Sequence, residues 1–362
     1  MSHLAFHPLR VHSVQPEADD AIVLTFEVPP ALNEAFRFEA GQHLTLRAQI
    51  EGQEVRRSYS ICAAPGEALR VGVRRVAGGV FSSWLHTRLK AGDRIEAMPP
   101  LGSFGAPLAA RPRHVLALAG GSGITPILAI LQAALAADDQ TRCTLLYGNR
   151  SAASTMFKQA LDDLKNRHLA RLAVHKVFTR DEVDARWNAG RIDAEKVATL
   201  LRLAGPVDAA FVCGPHAMND AVEAALQAAG VPAERIHIER FGVPPDRLVA
   251  EPAPQAAHGD GAQPAGAGPQ SKVRIVRDGL TREIEVLPGD ASMLAAAERA
   301  GLDMPYSCQS GVCATCRARV QSGRVRMDRN FALSPGEVAA GFVLTCQAVP
   351  LTDRVTLSFD ER

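Results

Sequence analysis

Four cysteines near the end of the chain place the tightest constraint on what it can fold into. Cys308, Cys313 and Cys316 lie on one short segment, and Cys346 comes from a later part of the sequence. This C-x4-C-x2-C spacing with one distant cysteine is the ligand spacing of one class of [2Fe–2S] cluster. Three thiolates on a short loop can hold one side of a two-iron centre, and the fourth closes the cage. The pattern predicts that these cysteines are metal ligands and that the protein handles single electrons.

Structural zinc and disulfide bonds are the two alternatives for these cysteines. Structural zinc usually takes paired C-x2-C knuckles, and the sequence holds one such pair, Cys313 and Cys316. The N-terminal MSHLAFHPLR has no apolar signal-peptide core, so we expect a reducing, cytoplasmic location in which disulfides are disfavoured. Of the other cysteines, Cys62 and Cys143 lie in strand-like runs and are predicted core residues.

Length and composition exclude several classes of function. A chain of 362 residues predicts two or three domains, and 47% hydrophobic residues can form real cores. The net charge of +1 gives no bulk attraction to nucleic acid or to an anionic membrane. The most apolar stretch, 115–131, is interrupted by glycines and by Pro126, so it does not predict a membrane span. We expect neither a nucleic-acid partner nor a membrane.

A change in composition marks the clearest domain boundary. Residues 244–270 are dominated by proline, alanine and glycine, and they have almost nothing to bury. Such a segment cannot offset the entropy cost of ordering, so it predicts a flexible linker that spans about 30 Å. A linker of this length would hold the module behind it at an effective concentration of about 1 mM.

The other segments predict three domains of different fold. Residues 1–110 alternate apolar and polar residues in short runs between glycines and prolines, which is typical of a small antiparallel β-barrel. Residues 111–243 alternate strands with helices, which predicts a doubly wound parallel sheet. Residues 271–362 begin with two hairpin-like strands and a helix before the cysteine loop, an order that suits a β-grasp domain. Predicted helices cover 81–90, 153–167, 193–203, 216–229 and 292–300, and another begins near 125.

A glycine-rich turn is the first candidate phosphate site. The sequence GGSGITP at 120–126 follows the first strand of the middle segment and opens its first helix. Glycines let the backbone approach a pyrophosphate, and the helix N-terminus offers free N–H groups. The turn departs from G-x-G-x-x-G, so a purely structural turn is the alternative. Its position between a strand and a helix favours a nucleotide site.

A second candidate nucleotide site lies in the barrel segment. Arg57 and Tyr59 share one face of a predicted strand, and Ser58 and Ser60 share the other. An arginine can pair with a pyrophosphate, and an aromatic ring can stack on a flat heterocycle. The glycine pair 78–79 before a predicted helix makes a second anion nest. The alternative is a surface arginine beside a core tyrosine.

At these residues the chain resembles the ferredoxin–NADP⁺ reductase family. Residues 57–60 match its R-x-Y-S flavin motif, 120–126 its pyridine-nucleotide loop and 213–218 its C-G-P-x-x-M motif. The resemblance covers about residues 5–243, and the tail from about 271 resembles plant-type ferredoxins. It implies a reductase that binds FAD, NAD(P)H and a [2Fe–2S] cluster.

The resemblance also implies roles for single residues. Ser60 and Cys213 would lie at the reacting atoms of flavin and nicotinamide, and residues 79–83 would supply N–H groups to the FAD phosphates. Phe241 would cover the far end of the flavin. The FAD residues that it implies are Arg57, Tyr59, Ser60, Gly79, Phe81, Ser82 and Phe241. Those for the pyridine nucleotide are Gly121, Gly123, Thr125, Cys213 and Gly214.

The implied function is an electron relay from NAD(P)H through FAD and [2Fe–2S] to a separate oxygenase of a multi-subunit complex. The sequence has one E-x-x-H motif, at 234–237, and di-iron sites in helix bundles take two, so the chemistry on the final substrate is expected elsewhere. Arg150 and Arg180 each follow a predicted strand and can reach an adenosine 2′-phosphate, so we expect NADPH over NADH. Two exposed strand-end arginines are the alternative. Other candidate functions are a reductase for another oxygenase or for a hybrid-cluster protein, and a redox sensor.

Overall fold

The structure, a computed structural model, describes residues 4–183, 185–242 and 270–361. The chain divides into two compact units, one of them Phe6–Phe241 and the other containing residues 270–361. All of the predicted linker except Gln270 lies outside the described residues. Within the described ranges, no helix combines the length and the apolar character that a bilayer crossing needs.

Residues 6–110 form an antiparallel barrel. Within the described part of this segment, six strands pair in the order β4-β3-β6-β1-β2-β5. A bridge between Ile61 and Val71 joins the two edges of this sheet, and helix α1 (Val80–Thr87) places Phe81 and Leu85 in the barrel core. The strands are β1 (His7–Ala18), β2 (Ala21–Glu27), β3 (His43–Ile50), β4 (Gln53–Ser60), β5 (Arg70–Arg74) and β6 (Arg94–Ala97).

The middle segment is the predicted doubly wound sheet. Its described strands are parallel and lie in the order β11-β10-β7-β8-β9. Every residue of the central strand β7 is buried, as expected for a strand covered by helices on both faces. The strands are β7 (His114–Gly120), β8 (Arg142–Asn149), β9 (Leu172–Phe178), β10 (Ala209–Gly214) and β11 (Ile236–Arg240). The helices are α2 (Ile124–Ala137), α3 (Lys158–Arg167), α4 (Ala194–Ala204) and α5 (His216–Ala228).

The C-terminal unit has a five-stranded mixed sheet and a two-stranded sheet in its described residues. The larger sheet has the order β13-β12-β18-β14-β16, with β12 and β18 parallel, and β15 pairs with β17. Its strands are β12 (Ser271–Arg277), β13 (Leu280–Val286), β14 (Arg317–Ser322), β15 (Val325–Met327), β16 (Phe342–Leu344), β17 (Ala348–Pro350) and β18 (Arg354–Ser358). Its helices are α6 (Met293–Arg299), which Ser292 caps, and α7 (Pro335–Ala339).

One predicted helix begins later than expected. The sequence pattern predicts a helix over 153–167, but α3 begins at Lys158. The hydroxyls of Ser154 and Thr155 close a local turn by bonding to the backbone of Ser151. Phe157 is left-handed, with φ of 57°, and a helix cannot continue through that conformation.

Candidate functional site

The glycine loop lies at the point where the strand order of the parallel sheet reverses. Strand β7 ends at Gly120, and α2 begins four residues later, with β8 on one side and β10 on the other. The crevice at such a switch point is where open α/β sheets bind their ligands. The N-terminus of α2 presents N–H groups and a partial positive charge there. The position and the backbone chemistry of the loop therefore suit an anion.

Close packing fixes the glycines of this loop. A Cβ atom on Gly123 would lie 2.0 Å from the carbonyl oxygen of Cys213, and Gly121 has a left-handed φ of 54°. Thr125 is buried, and its hydroxyl donates to the carbonyl of Ser122 at 2.9 Å. The Thr125 side chain thus braces the loop, while the backbone of the loop and of the first turn of α2 is what faces an anion.

The two residues predicted to lie at the reacting atoms are joined by a third that the sequence motifs did not single out. The Ser60 hydroxyl, at the end of β4, donates to Oε2 of Glu239 at 3.1 Å. Glu239 pairs in register with Cys213 across β10 and β11. A signal for Glu239 exists in the sequence, because its carboxylate follows the strand-like run IHI beside a predicted ligand crevice.

Burial raises the pKa values of both Glu239 and Cys213 in this cluster. Desolvation raises the pKa of Glu239 to about 7, and the Ser60 hydrogen bond opposes that rise. Cys213 has no exposed surface, and burial with the nearby Glu239 carboxylate raises the pKa of its thiol well above the usual value. Cys213 is thus a neutral thiol near neutral pH. Glu239 is a carboxyl that can take up or release a proton there.

The R-x-Y-S residues lie on β4 as predicted. Arg57 is exposed, and one of its terminal nitrogens donates to the carbonyl of Arg56 at 2.7 Å. The neighbouring Arg56 is 5% exposed and pairs with Glu54 at 2.7 Å, so its charge already has an acidic partner. Tyr59 is partly buried and stacks on Phe81, with 6.1 Å between ring centroids. Arg57 is therefore the arginine of this motif that is available to a ligand.

The start of α1 is a second place whose geometry suits an anion. Gly79 is the N-cap of α1, and the first N–H groups of a helix have no intrahelical acceptor. The Ser82 hydroxyl accepts from the Val76 N–H at 3.1 Å, which closes the turn that precedes the helix. Phe81 is 1% exposed, so its ring belongs to the core and its contribution to a ligand is limited to its backbone N–H.

Arg150 and Arg180 are brought together at the carboxyl ends of β8 and β9. The N–H of Arg180 donates to the carbonyl of Arg150 at 2.8 Å. The Arg150 side chain forms an ion pair with Asp20 of the barrel. The Arg180 side chain is exposed and makes no ion pair within the described residues. The two predicted 2′-phosphate ligands thus differ, since one already has an acidic partner.

Phe241 lies apart from these contacts. It follows β11 directly and is 42% exposed. Among the described residues, no hydrogen bond or ring contact joins it to Tyr59 or to the start of α1. The predicted position of its ring over the flavin stays a prediction.

The four C-terminal cysteines form two pairs. Cys308 contacts Cys313, and Cys316 contacts Cys346, through side-chain hydrogen bonds. In each pair the two pKa values are moved in opposite directions. The pKa values of Cys308 and Cys346 are lowered by their partners, and those of Cys313 and Cys316 are raised. Within the described ranges, His, Cys, Asp and Glu side chains do not gather three at a time around one ion position. Two thiol pairs suit a two-iron centre better than a single tetrahedral zinc.

The backbone of the cysteine loop is shaped to turn N–H groups toward sulfur. Gln309, Gly311 and Ala314 have left-handed φ values of 50°, 82° and 51°. The Ser310 N–H donates to Sγ of Cys308 at 3.4 Å, and the side-chain amide of Gln347 donates to Sγ of Cys346 at 3.6 Å. Left-handed residues other than glycine are strained and concentrate at ligand sites. Donors to the sulfurs stabilise negative charge on a cluster, so the loop fits the predicted [2Fe–2S] group.

Comparison with known families agrees with this division of sites. The oxidoreductase FAD-binding domain matches residues 8–105, and the oxidoreductase NAD-binding domain matches residues 117–224. The 2Fe-2S iron-sulfur cluster binding domain matches residues 275–351. The glycine loop, the R-x-Y-S strand and the cysteine loop each lie inside the matching range.

Two curated relatives match almost the whole chain. One component of the 1,2-phenylacetyl-CoA epoxidase of Escherichia coli (strain K12) is 44% identical over 99% of this chain and 98% of its own. The chain belongs to the ferredoxin reductase family that carries a [2Fe–2S] domain. The second relative in this reductase family is the ferredoxin reductase component of the 3-ketosteroid-9-alpha-monooxygenase of Mycolicibacterium smegmatis. It is 36% identical over 98% of this chain and 97% of its own.

A solved structure shows the same fold for the whole reductase. Phthalate dioxygenase reductase, described as a modular structure for electron transfer from pyridine nucleotides to [2Fe–2S], has a TM-score of 0.59. The match covers 98% of each chain at 24% identity. The predicted fold class is confirmed: an antiparallel FAD-binding domain, a parallel NAD-binding domain and a C-terminal [2Fe–2S] domain. The reductase is an oxidoreductase with FAD, NAD(P) and [2Fe–2S] as its cofactor set.

Proposed function

We propose that this reductase passes electrons from NAD(P)H through FAD and [2Fe–2S] to a separate oxygenase that acts on phenylacetyl-CoA. The main structural support for this relay is the hydrogen bond between Ser60 and Glu239 beside Cys213. This contact brings the end of the R-x-Y-S strand to the switch point of the nucleotide sheet, so the two nucleotide sites share one edge. The identity of 44% over 99% of the chain to the epoxidase component supports the choice of oxygenase.

The residues of the chain divide the work of binding between them. We propose that Arg57 pairs with the FAD pyrophosphate and that Tyr59 lies against the flavin ring. The N–H groups of Phe81 and Ser82 would hold phosphate, and Gly79, whose own N–H donates to the Val76 carbonyl at 2.9 Å, would leave room for it at the N-cap. On the sheet side, the backbone of Gly121 and Gly123 with the start of α2 at Thr125 would hold the pyrophosphate of NAD(P)H. Cys213 and Gly214 would pack beside the nicotinamide. Bound flavin turns a hydride pair into single electrons, which a [2Fe–2S] cluster accepts one at a time.

Ser60, Cys213 and Glu239 would control the reacting edge. The buried neutral thiol of Cys213 excludes water from that edge without adding charge. The Ser60 hydroxyl bridges Glu239 and the side of the pocket where the flavin would lie. Glu239, whose pKa is about 7, can hold or release a proton through that hydroxyl.

The wider organisation of the chain is part of this proposal. We keep the domain limits at 1–110, 111–243, 244–270 and 271–362, with 244–270 as a linker. The metal ligands would be Cys308, Cys313, Cys316 and Cys346. We place the protein in the cytoplasm, because its thiols suit a reducing compartment.

Reconstitution with defined oxygenase components tests the proposal. Flavin- and cluster-loaded protein should be bleached by NAD(P)H and give a reduced-cluster EPR signal. Adding the other epoxidase components and phenylacetyl-CoA should then give NAD(P)H-dependent epoxide, whereas the reductase alone should give none. A Cys346→Ser variant is the control, because it should keep flavin reduction and lose epoxide formation. Product formation by the reductase alone, or an absence of flavin reduction, would contradict the proposal.

A reductase for a steroid monooxygenase is the second candidate. The relative that is 36% identical over 98% of this chain belongs to such a system. The same reconstitution assay separates the two candidate functions. If the second is right, the reductase should supply electrons to the steroid monooxygenase and not to the epoxidase. Neither the hybrid-cluster protein nor the redox sensor is favoured by a particular contact in the described residues.

A further inference from the structure

Cationic side chains from both domains of the first unit meet at the carboxyl ends of β8 and β9. Arg150 follows β8, Arg180 follows β9, and Arg74 ends β5 of the barrel. A terminal nitrogen of Arg74 donates to the carbonyl of Ser154 at 2.6 Å. Another lies 3.5 Å from where a Cβ on Gly121 would stand. Together they form a positive rim beside the glycine loop.

One carboxylate from the barrel is paired with two of these arginines. Asp20 lies in the tight turn between β1 and β2. Its Oδ2 accepts a hydrogen bond from Arg150, and its Oδ1 lies 3.5 Å from Nε of Arg74. Its backbone carbonyl accepts from the N–H of Arg75 at 2.7 Å, which fixes the turn. The Asp20 side chain is 27% exposed, so the pair is partly shielded from solvent.

The strand order indicates which end of a dinucleotide would reach this rim. The pyrophosphate would lie at the loop after β7, and Cys213 lies on the β10 side of that loop. The nicotinamide must face the flavin, so it belongs on the β10 side. The adenosine half would then extend over β8 and β9, toward Arg150 and Arg180. The 2′-phosphate that distinguishes NADPH from NADH is attached to that half.

We propose that Asp20 is a specificity-determining residue that sets the choice between NADPH and NADH. Its carboxylate holds Arg150 in an ion pair and repels the dianionic 2′-phosphate. Arg180 is the remaining cation, because its exposed side chain has no ion-pair partner in the described ranges. Removing the Asp20 charge would release Arg150 to the phosphate and shift preference toward NADPH. The inference rests on the proposed function, since it presupposes that pyridine nucleotide binds at the glycine loop.

Binding of nucleotide fragments to the flavin-loaded protein tests this without turnover. We expect Asp20→Asn to tighten binding of 2′,5′-ADP about fivefold, the size of one partly exposed ion pair. Binding of 5′-ADP, which has no 2′-phosphate, should change less than about twofold by the same reasoning. Asp19→Asn is the matched control. It removes the same charge one residue away, from an exposed side chain with no hydrogen-bond or ion-pair partner within the described residues. It should leave both affinities near those of the wild type.

A double-mutant cycle shows whether Asp20 acts through Arg150. In an Arg150→Gln background, Asp20→Asn should lose most of its effect on 2′,5′-ADP. Arg180→Gln should weaken 2′,5′-ADP more than Arg150→Gln does, and this comparison holds even if Asp20→Asn does not fold. Equal effects of Asp20→Asn on the two fragments, or equal effects of the Asn variants at 19 and 20, would overturn the inference. If neither NADH nor NADPH reduced the wild-type flavin, the proposed function would fail instead.

Discussion

The Ser60 hydroxyl donates to the Glu239 carboxylate at 3.1 Å, although the two residues are 179 positions apart in the sequence. Ser60 ends β4 of the barrel, and Glu239 lies in β11, an edge strand of the parallel sheet. A hydrogen bond to a partly buried carboxyl is short in range and directional. It therefore requires the two domains of the first unit to meet at the edge where both nucleotide sites open.

Replacing Ser60 by alanine should slow flavin reduction while leaving the protein folded. The change removes the hydroxyl that links Glu239 to the proposed flavin edge, and loss of one positioned donor at a reacting centre costs about tenfold or more in rate. Stopped-flow reduction of the flavin by NAD(P)H measures this directly. Ser58→Ala is the matched control, because the Ser58 hydroxyl lies on the same face of β4 and bonds to Thr45 at 3.2 Å. A rate for Ser60→Ala equal to that of Ser58→Ala would show that the hydroxyl has no role.

Glu239 should make the stability of the protein depend on pH in a defined window. Its pKa in the folded protein is about 7, against an ordinary value of 4.5, so the folded state keeps a proton that the unfolded state loses between these pH values. The free energy of unfolding then falls as pH rises from about 4.5 to about 7. For this partly buried group we expect the fall to be about 1–2 kcal/mol.

Thermal unfolding of Glu239→Gln across this pH range measures that contribution. The variant cannot ionise at position 239, so its stability relative to the wild type should increase from pH 4.5 to 7 and then level off. Glu234→Gln is the control, since that carboxylate is exposed, and it should follow the wild-type curve. A constant difference between Glu239→Gln and the wild type over this range would show that Glu239 does not titrate there.

Much of the fold follows from local patterns in the sequence. The helices α4 and α6 begin one residue after their predicted starts at 193 and 292, because Asp193 and Ser292 are N-caps. Periodicity and capping are local, so one sequence suffices to detect them. The late start of α3 depends on hydroxyl-to-backbone bonds of a turn, which compete with helix formation without altering hydrophobic periodicity.

The contacts between distant segments could not be predicted in the same way. Glu239 and Asp20 each gain their importance from one partner, Ser60 and Arg150, that is far away in the sequence. No spacing rule connects such pairs, because the packing of the barrel on the sheet creates them. The four cysteines proposed as ligands differ from these pairs, since three of them share one loop and their spacing alone predicts the metal. A motif is predictable when a single loop carries it.

Adding one methyl group at Gly123 should disrupt the nucleotide loop. A Cβ there would lie 2.0 Å from the Cys213 carbonyl oxygen and 2.9 Å from the Gly214 nitrogen, and backbone cannot move aside as a side chain can. We expect Gly123→Ala to destabilise the first unit by about 3 kcal/mol and to weaken 5′-ADP binding.

Gly148→Ala is the control in the same sheet. Its added methyl would meet the flexible Ile192 side chain at 3.3 Å, so it should cost about 1 kcal/mol or less. Calorimetry of flavin-loaded protein compares them, and equal transition temperatures would refute the steric argument.

Each ligand cysteine should be needed for the cluster and dispensable for the flavin. Serine at position 308, 313, 316 or 346 removes one of four thiolates that the structure places in two pairs. We expect each variant to lose the cluster absorption and most of its bound iron. The flavin should stay bound and reduce ferricyanide with NAD(P)H at close to the wild-type rate, because residues 6–241 form a compact unit of their own.

Cys143→Ala is the control, since Cys143 is buried in the core of the parallel sheet, and it should keep both cofactors. Any of the four serine variants that retained full iron would remove that cysteine from the ligand set, and zinc in place of iron in wild-type protein purified without oxygen would overturn the cluster itself.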